Sequence, residues 1–398
     1  MKKNFLNMKV KKLDESLESK FSIYATKLNR KKKRMISLGL GEPPFETPKH
    51  IMQSSYVAMK SGFTKYSTAK GLFELRKAIS KKLKKENKLI INPDEIVITP
   101  GAKMALSLSL IALLKPGDEV VNFFPCYPSY PQQIRLAQSF VKIKNFHLNK
   151  KDFSIDFKKL AKTITKKTKV IIINFPHNPT GKMLSINEMK KLKKVLLKTN
   201  CWIISDEIYE YLNFSKKKHL SIGSDKKLSN RTITINGFSK AYGMTGWRIG
   251  YLASKNKIIH TISKIHQHMN TNVAPFIQKA ALTGILRGRN HLKFYNNQLK
   301  INRDYIVRAL KKSVLFSVHP SDGGLFVLIN ISKTKVKSDN FSYKFLKLFN
   351  VATIPGIHFG KNWDDHVRIS LTENKKNFIL GIQRLLKFEK QLIMKKYL

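Results

Sequence analysis

The strongest constraint on this chain is a set of short, β-branched apolar runs that return at intervals along it. EIVIT at 95–99, EVVNFF at 119–124, KVIIIN at 169–174, CWIIS at 201–205 and RTITIN at 231–236 each end in a turn or in polar residues. Several are apolar on successive positions, so both faces of those strands must be covered. The amphipathic stretches between them, at 103–114 and 188–197, have helical periodicity and can supply that cover. Strands alternating with helices in this way predict an α/β fold: a mostly parallel sheet flanked by helices. The two chain ends read differently, with a basic helix-like stretch at 15–33 and short strands at 325–330 and 367–370 alternating with helices. A chain of 398 residues can hold one large core and a satellite. The expected division is an arm and part of a small domain over 1–48, a large domain over 49–295, and a small α+β domain over 296–398.

Composition narrows the function classes. Cys126 and Cys201 are the two cysteines and form no CxxC pair, which excludes a disulfide framework or a zinc ribbon and makes a reducing cytoplasm the expected compartment. The basic start MKKNFL is not followed by an apolar segment of signal-peptide type, and the apolar run at 104–114 is too short for a bilayer, which needs roughly 20 residues. No phosphate-binding G-x-x-x-x-G-K-[ST], no G-x-G-x-x-G after a strand and no H-E-x-x-H occurs, so neither a metal nor a nicotinamide cofactor is expected. The formal charge is +51, which invites a nucleic-acid reading. Only 12 of the 76 basic residues are arginine, however, and the lysines are spread over predicted helix faces, such as Lys81-Lys82, Lys84-Lys85, Lys190-Lys191 and Lys193-Lys194. With its abundant Ile, Asn and Phe, this is the mixture that AT-rich coding writes into any protein. General attraction to polyanions at low salt is expected, but no specific nucleic-acid partner and no membrane.

In open α/β sheets, sites form outside the carboxyl ends of the strands, and four strand exits here carry polar residues. At Thr99-Pro100-Gly101-Ala102-Lys103 a glycine admits close backbone approach and a helix N-terminus can receive a phosphate, although an ordinary turn would read the same. Pro176 and Pro179 hold Asn178 at the exit of the third run. Asp206 ends a buried strand, a costly place for a carboxylate unless it meets a cation or caps a turn, and Tyr209 follows three residues on. Lys240 lies between Gly237 and Gly243, with Arg248 eight residues later; a shielded lysine beside a second cation has a lowered pKa and can form a Schiff base.

The run Ser239-Lys240-Ala241-Tyr242-Gly243-Met244-Thr245-Gly246-Trp247-Arg248 closely resembles the lysine segment of the fold-type I pyridoxal-phosphate (PLP) aminotransferases of class I/II. The likeness also takes in Gly41-Glu42-Pro43, Tyr66, Gly71 to Arg76, Asn178-Pro179-Thr180-Gly181, Ser205 to Tyr209, and Val367-Arg368-Ile369-Ser370, and is greatest to the bacterial aspartate and aromatic branch. The resemblance implies that Lys240 forms the internal aldimine with PLP and then moves a proton, that Asp206 pairs with the pyridinium nitrogen, and that Asn178 and Tyr209 donate to the ring's 3-oxygen. It implies that Arg248, helped by Gly101 and Ala102, binds the phosphate, that Tyr66 reaches the phosphate of a neighbouring subunit in a homodimer, and that Tyr127 stacks on the ring. Arg368 and Gly41 match positions around the substrate α-carboxylate, where Asn178 also lies, and Lys103 matches a lysine that reads a side-chain carboxylate.

Two departures stand out. Gly237 replaces a serine common in relatives at a phosphate contact, for which Ser239 is the candidate substitute, and Glu18 falls where relatives often carry threonine near the partner's substrate. His266 and His268 are candidates for the pocket or for ordinary surface histidines. Nothing suggests that Cys126, beside Tyr127, is a nucleophile. The expected activity is ping-pong transfer of an α-amino group from aspartate, or an aromatic amino acid, to 2-oxoglutarate. A PLP-dependent β-lyase or a specialised biosynthetic aminotransferase is the alternative, since the same machinery serves both.

Overall fold

The computed structural model of the chain describes residues 35–394. The basic stretch 15–33 and Glu18 lie outside the described residues. In chain order the strands are β1 (Ile36–Ser37), β2 (Ile96–Thr99), β3 (Glu119–Phe124), β4 (Lys142–His147), β5 (Thr168–Asn174), β6 (Trp202–Asp206), β7 (Thr232–Gly237) and β8 (Gly250–Ala253), followed by β9 (Ser317–Val318), β10 (Phe326–Asn330), β11 (Val351–Ala352), β12 (Ile354–Pro355) and β13 (His366–Ser370).

The five apolar runs of the sequence become β2, β3, β5, β6 and β7 of one seven-stranded sheet, ordered β2-β8-β7-β6-β5-β3-β4. Neighbours from β7 to β4 pair in parallel, while β8 runs against both β7 and β2. Val170, Ile171 and Ile203 have no exposed surface, which explains why these strands show so little alternation. The apolar core lies on both sides of this sheet. The helix Gly101–Leu113 packs on it and is apolar nearly all round, as a helix buried between sheet and neighbours must be.

The C-terminal part forms a second, antiparallel sheet, β12-β13-β10-β9. The residues just after position 35 pack with this part of the chain: β1 pairs in parallel with β11 as a separate two-stranded sheet, and Ser370 N–H of β13 donates to the Leu38 carbonyl at 2.7 Å. The helix Asn290–Leu310 runs unbroken through position 295. Lys82 departs from the expectation of solvated lysines: unlike Lys81, Lys84 and Lys85 it is buried, and its ammonium meets Glu210. Among the described residues no helix is long and apolar enough to cross a membrane.

Candidate active site

Because β2, β3, β5, β6 and β7 point the same way, their carboxyl ends share one edge of the sheet. The reversed strand β8 starts there too, with Gly250 opposite both Gly237 and Thr99. Arg248, two residues before β8, is thereby brought to the edge at which the other strands end. There it meets the start of the helix Gly101–Leu113, whose N-terminus has no side-chain cap. A Cβ on Gly101 (φ +78°) would stand 2.7 Å from Nη2 of Arg248, and one on Gly250 would stand 2.6 Å from the Ala102 nitrogen. Glycine at both places thus lets helix end, strand and guanidinium close together, an arrangement suited to an anion. Arg248 itself is exposed and donates to the Thr245 carbonyl at 2.8 Å.

Three residues beyond β7, Lys240 directs its amine to the Gly41 carbonyl at 2.6 Å, with the Tyr209 ring centroid 6.0 Å away. Tyr209 is buried, and burial raises its hydroxyl pKa well above the ordinary value, so it stays a proton-bearing donor. Asn178 donates through Nδ2 to the Tyr209 oxygen at 3.4 Å. The turn that presents Asn178 is tied back to β5, since its N–H donates to Oδ1 of Asn174 at 2.9 Å.

Of the two roles that the sequence left open for Asp206, the turn cap is the one seen here, together with a tyrosine hydroxyl. Asp206 Oδ1 accepts the Ile208 N–H at 3.2 Å and so caps the turn, while Oδ2 accepts the Tyr130 hydroxyl at 2.7 Å. Loss of solvent raises the carboxyl to about 6, and the nearby Glu207 charge pushes the same way against the two hydrogen bonds and Lys240. A carboxyl raised by burial favours a cationic partner. Tyr130 was not assigned a role from sequence. Its placement at the start of the helix Ser129–Ala137 is a product of the fold, and the only hint was its position in a proline-bounded turn beside Tyr127.

Arg368 lies on β13, in the second sheet, opposite Leu328 and Ile354. It is buried and donates to Oδ1 of Asn178 at 3.1 Å and to the Gly39 carbonyl at 2.9 Å. Its guanidinium carbon lies 3.9 Å from the Phe326 ring centroid and 4.9 Å from that of Phe359. Sequence reasoning also missed these two rings, because a phenylalanine next to glycine or an apolar run carries no local sign of a distant arginine. A Cβ on Gly41 would strike Phe326 at 2.7 Å, so glycine keeps this approach open.

Tyr127 packs edge-on against Tyr130, with centroids 5.5 Å apart, and the exposed Lys103 amine lies 5.8 Å from the Tyr127 centroid. Ser239 is buried next to Lys240, and Tyr66 is 88% exposed on the single chain. The space beside Gly237 is narrow: a Cβ there would stand 3.1 Å from Gly250 Cα and 3.2 Å from Ile208. Of the two histidine candidates, His268 is a surface residue and His266 is not. His266 is fully buried and hydrogen-bonds the Ala69 carbonyl through Nδ1 at 2.9 Å, whereas His268 is exposed. Burial drives the Cys126 thiol up to about 12, which keeps it protonated and unreactive.

Residues 33–382 match the family aminotransferase class I and II. A probable aspartate aminotransferase of Methanocaldococcus jannaschii is 38% identical over 342 residues, which cover 84% of this chain and 88% of that one. The solved structure of aspartate aminotransferase from Thermus thermophilus with maleate superposes at a TM-score of 0.90 and 29% identity, covering 96% of this chain and 99% of that one. An aromatic aminotransferase from Pyrococcus horikoshii does so at 0.87 and 33% identity, covering 94% and 100%. The chain belongs to the class I and II aminotransferases and has their fold-type I architecture. It is a transaminase of this PLP-dependent family.

Proposed function

We propose that the protein holds PLP and transfers an α-amino group between an amino acid, aspartate first and an aromatic one second, and 2-oxoglutarate by a ping-pong scheme. The observation that carries this reading is the convergence at one sheet edge of an amine (Lys240), a carboxyl raised by burial (Asp206) and a buried guanidinium (Arg368). The donor set fits the cofactor. The uncapped helix end at Gly101 and Ala102, with Arg248, suits the phosphate, and Ser239 is the nearby hydroxyl; Asp206 suits the ring nitrogen, and Asn178 and Tyr209 suit the 3-oxygen. Lys240 would hold the group covalently, and Tyr127 would stack on it. PLP when bound supplies an electron sink for the substrate Cα.

Each residue then has a definable task. Arg368 offers a substrate α-carboxylate the two-pronged pairing that a guanidinium provides, its plane steadied by Phe326, with Gly41 and Asn178 alongside. The Lys240 amine would serve as the general base that moves a proton at the substrate Cα. Tyr209, kept protonated by its surroundings, donates rather than accepts. Lys103, exposed near Tyr127, would read a distal carboxylate, and the name of the M. jannaschii relative supports aspartate. Supporting a homodimer, the helix Lys49–Lys60 leaves Met52, Tyr56, Val57 and Met59 exposed on the single chain, as it does Tyr66, which would reach the partner's phosphate site. A cytoplasmic setting, a role in amino-acid biosynthesis and the division at 48/49 and 295/296 belong to the same reading.

A half-reaction screen tests it. Each amino acid is offered to the PLP-loaded protein while the cofactor spectrum is followed. Aspartate should convert the spectrum fastest and yield a keto acid with pyridoxamine phosphate. Pyruvate and ammonia appearing together would mean elimination instead. Lys240→Ala should abolish both the absorbance band and turnover, and persistence of both would refute the assignment.

A further inference from the structure

Directly behind the cofactor edge lies a buried ionic network that the proposed reaction does not use. Glu207, between Asp206 and Tyr209 in sequence, turns its carboxylate away from the cleft. Its Oε1 accepts the hydroxyls of Ser205 at 2.9 Å and Ser221 at 2.6 Å, and its Oε2 meets His219 Nε2 at 2.8 Å and Asn87 Nδ2 at 3.3 Å. Glu210 takes the Lys82 ammonium, Asn87 Nδ2 at 2.7 Å and Asn236 Nδ2 at 2.8 Å. Asn236 accepts the Gly237 N–H at 2.7 Å, three residues before Lys240. Glu207 and Glu210 are both almost completely enclosed, a state that unpaired carboxylates do not sustain. Glu207, Glu210 and His219 offer ligand atoms within 4.8 Å of one another, the donor set of a metal site. Lys82, however, already places a cation on Glu210, so the geometry assigns the positive charge to side chains.

We propose that Glu207, with His219 as its counter-cation, is the positioning residue of the cofactor edge: it anchors the turn that carries Asp206 and Tyr209 and sets the charge that Asp206 feels from behind. The anchoring follows from connectivity. Glu207 N–H donates to the Ile235 carbonyl of β7 at 2.9 Å, its own carbonyl accepts the Glu210 N–H at 3.0 Å, and its side chain ties that turn to the segment at 219–221 and to Asn87. The electrostatic role follows from charge balance. Two carboxylates (Glu207 and Glu210) face two cations (Lys82 and protonated His219), leaving the pocket behind Asp206 near neutral; on its open side Asp206 has Tyr130, Tyr209 and Lys240 for neighbours. Burial and the Lys82 charge oppose protonation of His219, but the Glu207 charge and hydrogen bond together with Glu210 outweigh them and raise its pKa above the ordinary value.

The proposal rests on the assignment of Lys240 and Asp206 to the cofactor, and its test separates the two. In the cofactor-free protein, the ring protons of His219 followed by NMR should titrate above the ordinary histidine value. Titration at or below that value would overturn the charge balance without touching the cofactor assignment. In the PLP-loaded protein, the pH midpoint of the visible band should fall in Glu207→Gln and rise in His219→Gln. Each shift should be on the order of half a pH unit, as expected for removing one charge in a partly screened interior. Midpoints that stay put, or that move together, would mean the network is packing only and would overturn the proposal. His219→Asn repeats the measurement should the glutamine variant fold poorly. A wild-type protein with no visible band would instead refute the cofactor assignment.

Discussion

Replacing Asp206 by asparagine should make the cofactor-free protein more stable at pH 8 and leave it nearly unchanged at pH 4. Burial moves this carboxyl from 3.8 to about 6. Its folded-state pKa is raised, so the protonated acid is the form that folding favours. The cost of ionising it is absent below the unfolded value and builds as pH climbs through 6. At roughly 1.36 kcal/mol per pH unit, the penalty at pH 8 is about 3 kcal/mol, an upper figure because Asp206 keeps some contact with solvent. Asparagine keeps the shape and carries no charge: its carbonyl oxygen can accept the Ile208 N–H, and its amide NH2 can donate to the Tyr130 oxygen, the hydroxyl changing from donor to acceptor. The assay is chemical denaturation of both cofactor-free proteins between pH 4 and 8, repeated with PLP. The stability difference should grow with pH in favour of the variant, and PLP should stabilise the wild type much more, since only a carboxylate can pair with a protonated ring nitrogen. A difference that does not change with pH would refute the reasoning, as would a variant less stable at pH 8 than at pH 4 relative to the wild type.

Two further substitutions probe the substrate side. Arg368→Lys should raise KM for every amino acid by about tenfold or more, with a smaller change in kcat. A point charge can replace neither the fork that reaches Asn178 and Gly39 nor the stacking on Phe326, and an unchanged KM would remove Arg368 from carboxylate binding. Lys103→Ser should lower kcat/KM for aspartate by about tenfold or more and barely alter that for phenylalanine, because the loss is one charge-assisted contact to a distal carboxylate. Equal losses in the two substrates would show that Lys103 serves some other purpose.

The order of strands and helices, and with it the fold class, was legible because covering a sheet on both faces leaves its mark in consecutive apolar residues. Five strands could be read in this way. β4 could not, since Lys142–His147 lies at the sheet edge, mostly uncovered, and its residues therefore alternate with lysine and asparagine. β8 could not either: four residues, Gly250–Ala253, are too few for a period to show. Lys240, Asp206, Asn178 and Tyr209 were visible from their positions just after strands, where polar residues interrupt buried runs.

What the tertiary structure alone decided is which of these groups meet. The direction of β8 brings Arg248 to the Gly101 helix end, and no local pattern encodes a strand's direction. Arg368 reaches Asn178 across 190 positions, and Gly39 closes on it from the other end of the chain. Lys82, one lysine among many by composition, is buried because the path of its helix sets it against Glu210. Local sequence fixes the periodicity of an element and the chemistry at its ends. Pairing between distant segments depends on how the packed elements share one core, and only the folded chain holds that information.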